Sequence, residues 1–281
     1  MASVVTEAAS TGGGLLGSLG LYRRLVAARI SGQWQYRTSF VLFLVGQAAV
    51  TGFDLIALLF TMRLVPDLGG WTTSEVVLLY ALATVPFGVT DTLVSPIERL
   101  SHYVQTGEFD RLLLRPASAM LQLAALEFEL RRAGKALPAL GALVWVVAMV
   151  DVVWTPARIG ALVAALLFGS VIYTALWILA SSISFWATAA REATNALTYG
   201  GQTASQYPHH LYRPWLRLFL GWAFPLAFVA YVPTQHLTDA ANPLGLSSWL
   251  IYLTPLVAAG ALAVAAAVWR QGILHYTSTG S

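Results

Sequence analysis

Long apolar runs, nearly free of charge, constrain this chain more than any other feature of its sequence. A bilayer core about 30 Å thick requires roughly 20 apolar residues for each helical crossing. Such runs occupy residues 38–62, 76–95, 136–154, 159–187 and 249–269. Only 10% of the 281 residues are charged, against about 25% in soluble domains. The runs do not alternate in polarity as β-barrel strands do, so they predict an all-α membrane protein with about six crossings.

One crossing is ambiguous. Hydropathy selects residues 218–232, but this run is only 15 residues long and contains Pro225. The preceding stretch, 191–212, is more polar and includes the pair Gly200-Gly201. The residues alone leave open which stretch crosses the membrane.

Basic residues predict the orientation, because they concentrate in cytoplasmic loops. Twelve fall on one side of the predicted spans: Arg23, Arg24, Arg29, Arg37, Arg99, Arg111, Arg115, Arg131, Arg132, Lys135, Arg191 and Arg270. Arg63 and Arg158 fall on the other side. We therefore expect a multi-pass protein with both termini in the cytoplasm. The preference for Arg and Ala is typical of bacterial chains, which indicates a bacterial plasma membrane.

The N-terminal region divides into two parts. Residues 1–19 lack the basic start of a signal peptide, and we expect a disordered arm. The membrane domain then covers residues 20–281. Its first part, 20–37, mixes arginines with Trp34 and Tyr36, which favours an amphipathic connecting helix in the headgroup layer. The alternative is a basic topology signal with no further role.

Several chemistries are excluded. The chain has no cysteine, which removes disulfides and thiol catalysis. Its only Gly-Lys pair, Gly134-Lys135, is followed by Ala136 where a phosphate-binding loop needs Ser or Thr. His209 and His210 are adjacent and so face different ways, which makes a poor metal pair. We expect no catalytic residue, no metal site, no cofactor on this chain and no nucleic-acid partner.

Two polar stripes run through the apolar spans. Gln47, Thr51 and Asp54 share one helical face of the first span, and Thr84 and Asp91 share one face of the second. Charges inside spans are costly and usually face a bundle interior or a cavity. The stripes indicate a substrate path or subunit interface. The alternative is structural, with Asp54 paired to a neighbouring polar group and Asp91 near the cytoplasmic headgroups.

The loop after the second span carries the most specific pattern, GEFDRLLLRP at residues 107–116. Gly107 can end a helix, and Pro116 restricts the residue before it. Between them lies an amphipathic stretch with a ridge of three leucines. It suits either docking to a partner or lying on the membrane.

This segment resembles the GELDxLLLRP segment of ABC-2-type permeases, with Phe109 in place of the family's Leu. The resemblance continues in 224–229 with Tyr231 and Pro233, and in the tail 275–281, so it covers residues 20–281. It is closest to a subgroup of six-span subunits usually encoded beside a second permease and an ATPase.

The resemblance implies a permease subunit of an ABC exporter, with ATP and Mg²⁺ on partner ATPase subunits. It implies a cytoplasmic coupling helix whose ATPase contacts are Glu108, Phe109, Asp110, Arg111, Leu112 and Arg115. It also implies external re-entrant helices over 212–236, with 191–206 as the fifth span. A second, unlike permease is favoured over a homodimer, and membrane lipids surround both.

Two other functions stay open at this point. One is an intramembrane enzyme acting on a lipid-like substrate, and the other is a membrane scaffold without transport. The sequence leaves the transported substrate open; an apolar interior with scattered hydroxyls suits an amphipathic or hydrophobic compound.

Overall fold

A computed structural model describes residues 15–65, 67–115, 118–126, 128–150, 152–187 and 191–277. Within these residues the chain is helical and contains no strand, which confirms the predicted all-α class. Pro116 and the tail residues 278–281 lie outside the described residues, as does most of the predicted disordered arm. The first helix begins at Leu15, five residues before the expected start of the membrane domain.

The α-helices are numbered here in chain order. They are α1 (Leu15–Gln35), α2 (Arg37–Leu64), α3 (Thr73–Leu93), α4 (Leu100–Gln105), α5 (Phe109–Leu113), α6 (Ala119–Leu126), α7 (Ala136–Met149), α8 (Pro156–Ser182), α9 (Arg191–Ser205), α10 (Pro214–Leu218), α11 (Tyr231–Thr238) and α12 (Thr254–His275). Short 3-10 turns at Ser95–Arg99, Leu130–Lys135, Ile183–Phe185, His209–Leu211, Leu226–Phe228 and Ser248–Leu253 and a π turn at Phe219–Ala223 join or extend them.

Five helical segments of the described chain are long and apolar enough to cross a membrane. They are Arg37–Leu64, Thr73–Leu93, Leu130–Met149, Pro156–Phe185 and Ser248–His275. They match the five apolar runs of the sequence. The bent pair Pro214–Ala223 and Leu226–Thr238, with an angle of 71° between its arms, brings the number to six if it counts as one span.

Local chemistry explains where the helices begin and end. Thr72 and Glu75 form a capping box at the start of α3, in which the Glu75 carboxylate accepts from the Thr72 N–H at 2.6 Å. Thr155 caps α8, and Pro156 occupies its first turn, where a missing N–H costs nothing. Gly107 ends the α4 segment with φ +71°, a conformation that favours glycine.

Helix α3 lies at the centre of the bundle. In its most apolar window 89% of the residues are buried, against 11% in α2, which lies at the periphery. Small residues let neighbouring segments approach closely. A Cβ on Gly88 would lie 2.8 Å from the Ala136 Cβ, and one on Gly134 would collide with the Leu44 carbonyl oxygen.

The bundle has two ends. The end that carries α1, α4–α6 and Tyr276 is called the basic face, and the end that carries residues 67–72 and 239–247 is called the opposite face. At the opposite face Trp71 Nε1 donates to the Ala241 carbonyl at 2.8 Å. Arg158, at the start of α8, pairs there with Asp239 at 2.5 Å.

Helix α9 and the residues that follow it run between the two ends of the bundle. Near its start, the Thr194 hydroxyl donates to the Ala180 carbonyl at 3.0 Å, close to the end of α8. After its end, Gln206 Nε2 donates to Thr84 in the middle of α3 at 3.1 Å. The His210 ring then lies against Gly69 and Trp71 at the opposite face.

Candidate functional site

A buried ion-pair network lies where α3 meets the basic face. Asp91 is fully buried, at 0% exposure. Its carboxylate pairs with Arg132 Nη1 at 3.2 Å and with Lys135 Nζ at 2.7 Å. Both cations come from the segment that starts the third span. Because an unpaired buried carboxylate is strongly destabilising, the two cations offset the cost of burying Asp91.

Arg132 extends this network to neighbouring segments. Its guanidinium donates to Ser95 Oγ at 2.8 Å and to Glu98 Oε1 at 3.3 Å. It also donates to Glu129 Oε2 at 3.3 Å. The network therefore ties the end of α3 and the following turn to the start of the third span.

Helix α9 supplies the remaining contact. The Tyr199 hydroxyl lies 3.3 Å from Asp91 Oδ1 and 3.4 Å from Glu98 Oε2. The Lys135 ammonium lies 5.0 Å from the centre of the Tyr199 ring, which suits a cation–π contact. Four segments of the chain are thus held together by one set of charges.

Glu129 forms the outer edge of the network. It accepts from Arg131 Nη2 at 2.7 Å as well as from Arg132. Burial alone would raise the pKa of its carboxyl, but the two guanidiniums together outweigh burial and lower that pKa. Glu129 is therefore ionised when the network is intact.

Sequence reasoning found only part of this site. It singled out Asp91 as a path or interface residue, with a position near the headgroups as the alternative, and it used Arg132 and Lys135 only as orientation signals. Glu98, Glu129 and Tyr199 were missed. The usable signal was opposite charge at the two ends of one loop: Asp91 and Glu98 lie at its start, and Arg131, Arg132 and Lys135 lie at its end.

The other predicted path residues fall into two environments. Thr51 and Thr84 are buried and link spans within this chain: Tyr80 donates to the Thr51 carbonyl at 3.0 Å, and Gln206 donates to the Thr84 hydroxyl. Gln47 is half-buried and Asp54 is exposed on α2. The structure thus brings Thr51 and Thr84 into the core and leaves Asp54 on the outside of the bundle.

Around Asp54 the outer face of α2 is strongly apolar. Large exposed side chains there include Val50, Phe53, Ile56 and Phe60. A carboxylate among such residues at membrane depth is costly when it faces lipid. The surface around Asp54 therefore favours contact with protein or with a water-filled path.

The predicted coupling segment is anchored to the basic face. Phe109 is fully buried, with its ring 5.5 Å from that of Phe185 and 5.2 Å from that of Tyr276. Leu112 is also buried, and its carbonyl accepts from Gln122 Nε2 at 3.0 Å. These contacts fix the orientation of α5 in this chain.

The other side of α5 faces outward. Glu108, Arg111 and Arg115 are exposed, and Leu114 is 84% exposed. Asp110 is half-buried and lies near Tyr276, whose pKa is raised first by burial and then by the hydrogen bond and charge of Asp110. The six predicted contact residues thus divide into a buried pair, Phe109 and Leu112, and four that reach the surface.

A family comparison decides how this arrangement is classified. The family described as "ABC-2 family transporter protein" matches residues 48–280. The chain belongs to the ABC-2 transporter family. No match was found among curated proteins or among solved structures. ABC-2 permeases are membrane components of transporters without catalytic activity of their own, and they generally work with ABC ATPases.

The adjacent histidines of this ABC-2 permease both pack against Tyr231. His209 is buried against Tyr231, and His210 Nδ1 lies 3.3 Å from the Tyr231 hydroxyl. Burial and the charge of His210 lower the pKa of His209 to about 4. Among the described residues no group of three metal-ligating side chains occurs.

Proposed function

We propose that this chain is a permease subunit of an ABC exporter that is driven by separate ATPase subunits. The observation that carries the proposal is the two-sided α5 segment. Its buried side is locked to the membrane helices through Phe109, while its exposed side offers Leu114 between the charged residues Arg111 and Arg115. Leu113 is exposed beside Leu114, and exposed apolar residues rimmed by polar ones are typical of protein interaction sites.

The proposed mechanism is mechanical. ATP and Mg²⁺ bind the partner ATPases, whose closure displaces the α5 segment. Displacement of α5 moves Phe109 against Phe185, which ends the fourth span, and against Tyr276, which follows the last span. The network of Asp91 lies at the end of α3, between this loop and the third span, and makes these segments respond together. Alternation between inward-open and outward-open states follows from this joint movement.

The contacts of α9 support its assignment as the fifth span. From Thr194 in α9 to His210, beyond its end, the partners of this stretch run from the basic-face end of α8 to Gly69 at the opposite face. Tyr199 and Gln206 contact successive levels of α3 between these points. Polar residues explain why hydropathy does not select this helix, since α3 and α8 cover its buried side.

The bent pair is then a re-entrant element of the opposite face. After its second arm, Asp239 pairs with Arg158 at that face. Gly221, near the end of its first arm, packs against the His209 ring, and Leu226 at the bend packs against Gly201. Irregular backbone at membrane depth is tolerated where protein covers it, as the buried residues Leu226 and Phe228 indicate.

A second permease completes the proposed path. The exposed α2 surface with Gln47 and Asp54 needs a protein or aqueous neighbour, which a second subunit would provide. An unlike permease is favoured by the subgroup that the sequence resembles, with a homodimer as the alternative. The abundance of basic residues at the basic face supports its assignment to the bacterial cytoplasm, with both termini there.

ATPase retention tests the proposal. The tagged full chain is purified from its native cells in mild detergent and compared with the double variant Arg111→Ala, Arg115→Ala. We expect a stoichiometric ATPase with the parent chain and about thirtyfold less or lower with the variant, because two interface anchors of about 1–2 kcal/mol each are removed. The matched control is Arg23→Ala, Arg24→Ala, which removes two exposed arginines from the same face. Equal ATPase retention by all three proteins, or none by the parent chain even after cross-linking, contradicts the assignment.

A further inference from the structure

A cavity of about 450 Å³ lies between α1, the start of α2 and the segment that precedes the third span. Gln33 is one of the residues that line the cavity. The Gln33 side-chain Nε2 donates to the Phe128 carbonyl at 2.8 Å, and its Oε1 accepts from the Leu130 N–H at 3.0 Å. Because both bonds join α1 to the same backbone segment, the cavity has a defined shape.

The polar lining of this cavity is positively charged. Among the described residues, Arg29 and Arg131 line it together with the carboxylate of Glu129. That carboxylate already accepts from Arg131 and Arg132. Within the part of the chain that the structure describes, the buried Nε of Arg29 has no hydrogen-bond partner. Arg29 thus places a guanidinium with an unsatisfied N–H donor beside the cavity.

The position of the cavity indicates where that anion comes from. It lies where α1 joins α2, at the end of the first span, beside the exposed aromatic residues Trp34 and Tyr36. Trp and Tyr at a span end mark the headgroup layer of a bilayer. The same cavity has an apolar wall that contains Phe40 and Leu126. A ligand at this depth meets both a cation and an apolar surface.

We propose that this cavity binds the phosphate of an anionic phospholipid, with Arg29 as the principal donor. The guanidinium matches a phosphate in charge and geometry. Phe40 and Leu126 contact the first methylenes of the acyl chains. Glu129 and Arg131 hold the rim, where the Arg131 guanidinium is fixed 4.2 Å from the centre of the Phe43 ring. The proposed lipid site is inferred from the position of the cavity in the headgroup layer, and it does not depend on which substrate is transported.

Gly32 offers a way to fill the cavity without disturbing the fold. It lines the cavity, and a Cβ added there meets no heavy atom within 4 Å. Gly32→Leu therefore places a side chain in open space and also raises helix propensity. Gly20→Leu is its control, because Gly20 lies on the same helix, outside the cavity, with equal space around a Cβ.

The experiment is native mass spectrometry of the purified full chain in neutral detergent, titrated with phosphatidylglycerol or phosphatidylcholine. We expect the parent chain to favour phosphatidylglycerol and Arg29→Gln to lose about tenfold or more in affinity, the effect of one charge-assisted hydrogen bond. The Gly32→Leu variant loses affinity for phosphatidylglycerol by a similar factor. Arg24→Gln, an exposed arginine of α1, loses at most about fivefold, the effect of one general surface charge.

Three results overturn the proposal. Equal losses for Arg24→Gln and Arg29→Gln show general attraction to the basic face. Undiminished lipid binding by Gly32→Leu shows that the lipid binds elsewhere. Stabilisation of the parent chain by inorganic phosphate that equals its stabilisation by phosphatidylglycerol, read as a shift in melting temperature, assigns the site to a soluble anion. Because lipid binding is measured without any ATPase, these results are separate from the test of the transport function.

Discussion

The substitution Asp91→Asn tests whether the buried network is structural. It keeps the size of the side chain but leaves Arg132 and Lys135 without their shared anion. Removing one partner of a buried ion pair costs about 3–5 kcal/mol. We expect the lower end, because Arg132 keeps Glu98 and Glu129 as partners and the Lys135 side chain is 20% exposed. The expected loss in the free energy of unfolding is thus about 3 kcal/mol.

The loss is measurable as a melting temperature in detergent, followed by the fluorescence of the 10 tryptophans. For a domain of this size, 1 kcal/mol corresponds to about 2–4 °C, so Asp91→Asn lowers the melting temperature by about 6–12 °C. The double variant Asp91→Asn, Lys135→Gln removes one unpaired cation together with the carboxylate. It therefore recovers about 1 kcal/mol or more of that loss, the range expected for residues in direct contact.

Asp54→Asn is the matched control, since it makes the same chemical change on an exposed carboxylate of α2. We expect its melting temperature to stay within about 2 °C of the parent, as for most surface substitutions. An unchanged melting temperature for Asp91→Asn refutes the structural role of the network. A double variant no more stable than the single one would falsify the assignment of Lys135 as its partner.

The remaining predictions concern transport, anchoring and helix contact. In vesicles with the complete transporter, Asp54→Asn changes the transport rate at unchanged expression; an unchanged rate removes Asp54 from the path or interface. Phe109→Ala lowers the free energy of unfolding by about 3–5 kcal/mol because it empties a buried aromatic site. Leu114→Ala leaves the melting temperature unchanged and weakens ATPase retention. Similar melting temperatures for the two variants contradict the two-sided α5. Gly134→Ala lowers the melting temperature because its Cβ collides with the Leu44 carbonyl, while Gly141→Ala, where a Cβ meets open space, does not; equal effects contradict the close contact between the first and third spans.

Hydropathy was sufficient to locate five of the candidate spans in the sequence. The sequence limits 38–62 and 76–95 compare with Arg37–Leu64 and Thr73–Leu93 in the structure, because nearly every residue in these runs is apolar. The same measure does not select α9, the helix that we propose as the fifth span. Some of its polar side chains contact residues far away in the chain, as the Tyr199 hydroxyl contacts Asp91. A hydropathy window includes only neighbours along the chain, so it cannot include such a partner.

The sequence pattern was sufficient to recognise the coupling segment. It did not predict which of its residues are buried and which are exposed. Phe109 and Leu112 lie three residues apart and share one face of a short helix. The pattern alone fits an apolar face turned toward a partner as well as one turned toward the same chain. Phe185 and Tyr276 decide between these, since their rings occupy the space beside Phe109. They lie 76 and 167 positions further along the sequence, beyond the reach of any local rule.

Asp54 and Asp91 show why burial inside one chain does not by itself separate structure from function. Both are carboxylates on polar stripes of apolar spans, and both require compensation at membrane depth. Asp91 is compensated by Arg132 and Lys135 of its own chain, so its charge is already neutralised and fixed. Asp54 has no ion-pair or hydrogen-bond partner among the described residues and stays exposed. The free-energy cost of placing the Asp54 carboxylate at membrane depth therefore has to be offset by a group outside this chain. Asp54 is for that reason the stronger candidate for a path or interface residue, although Asp91 is the more deeply buried of the two.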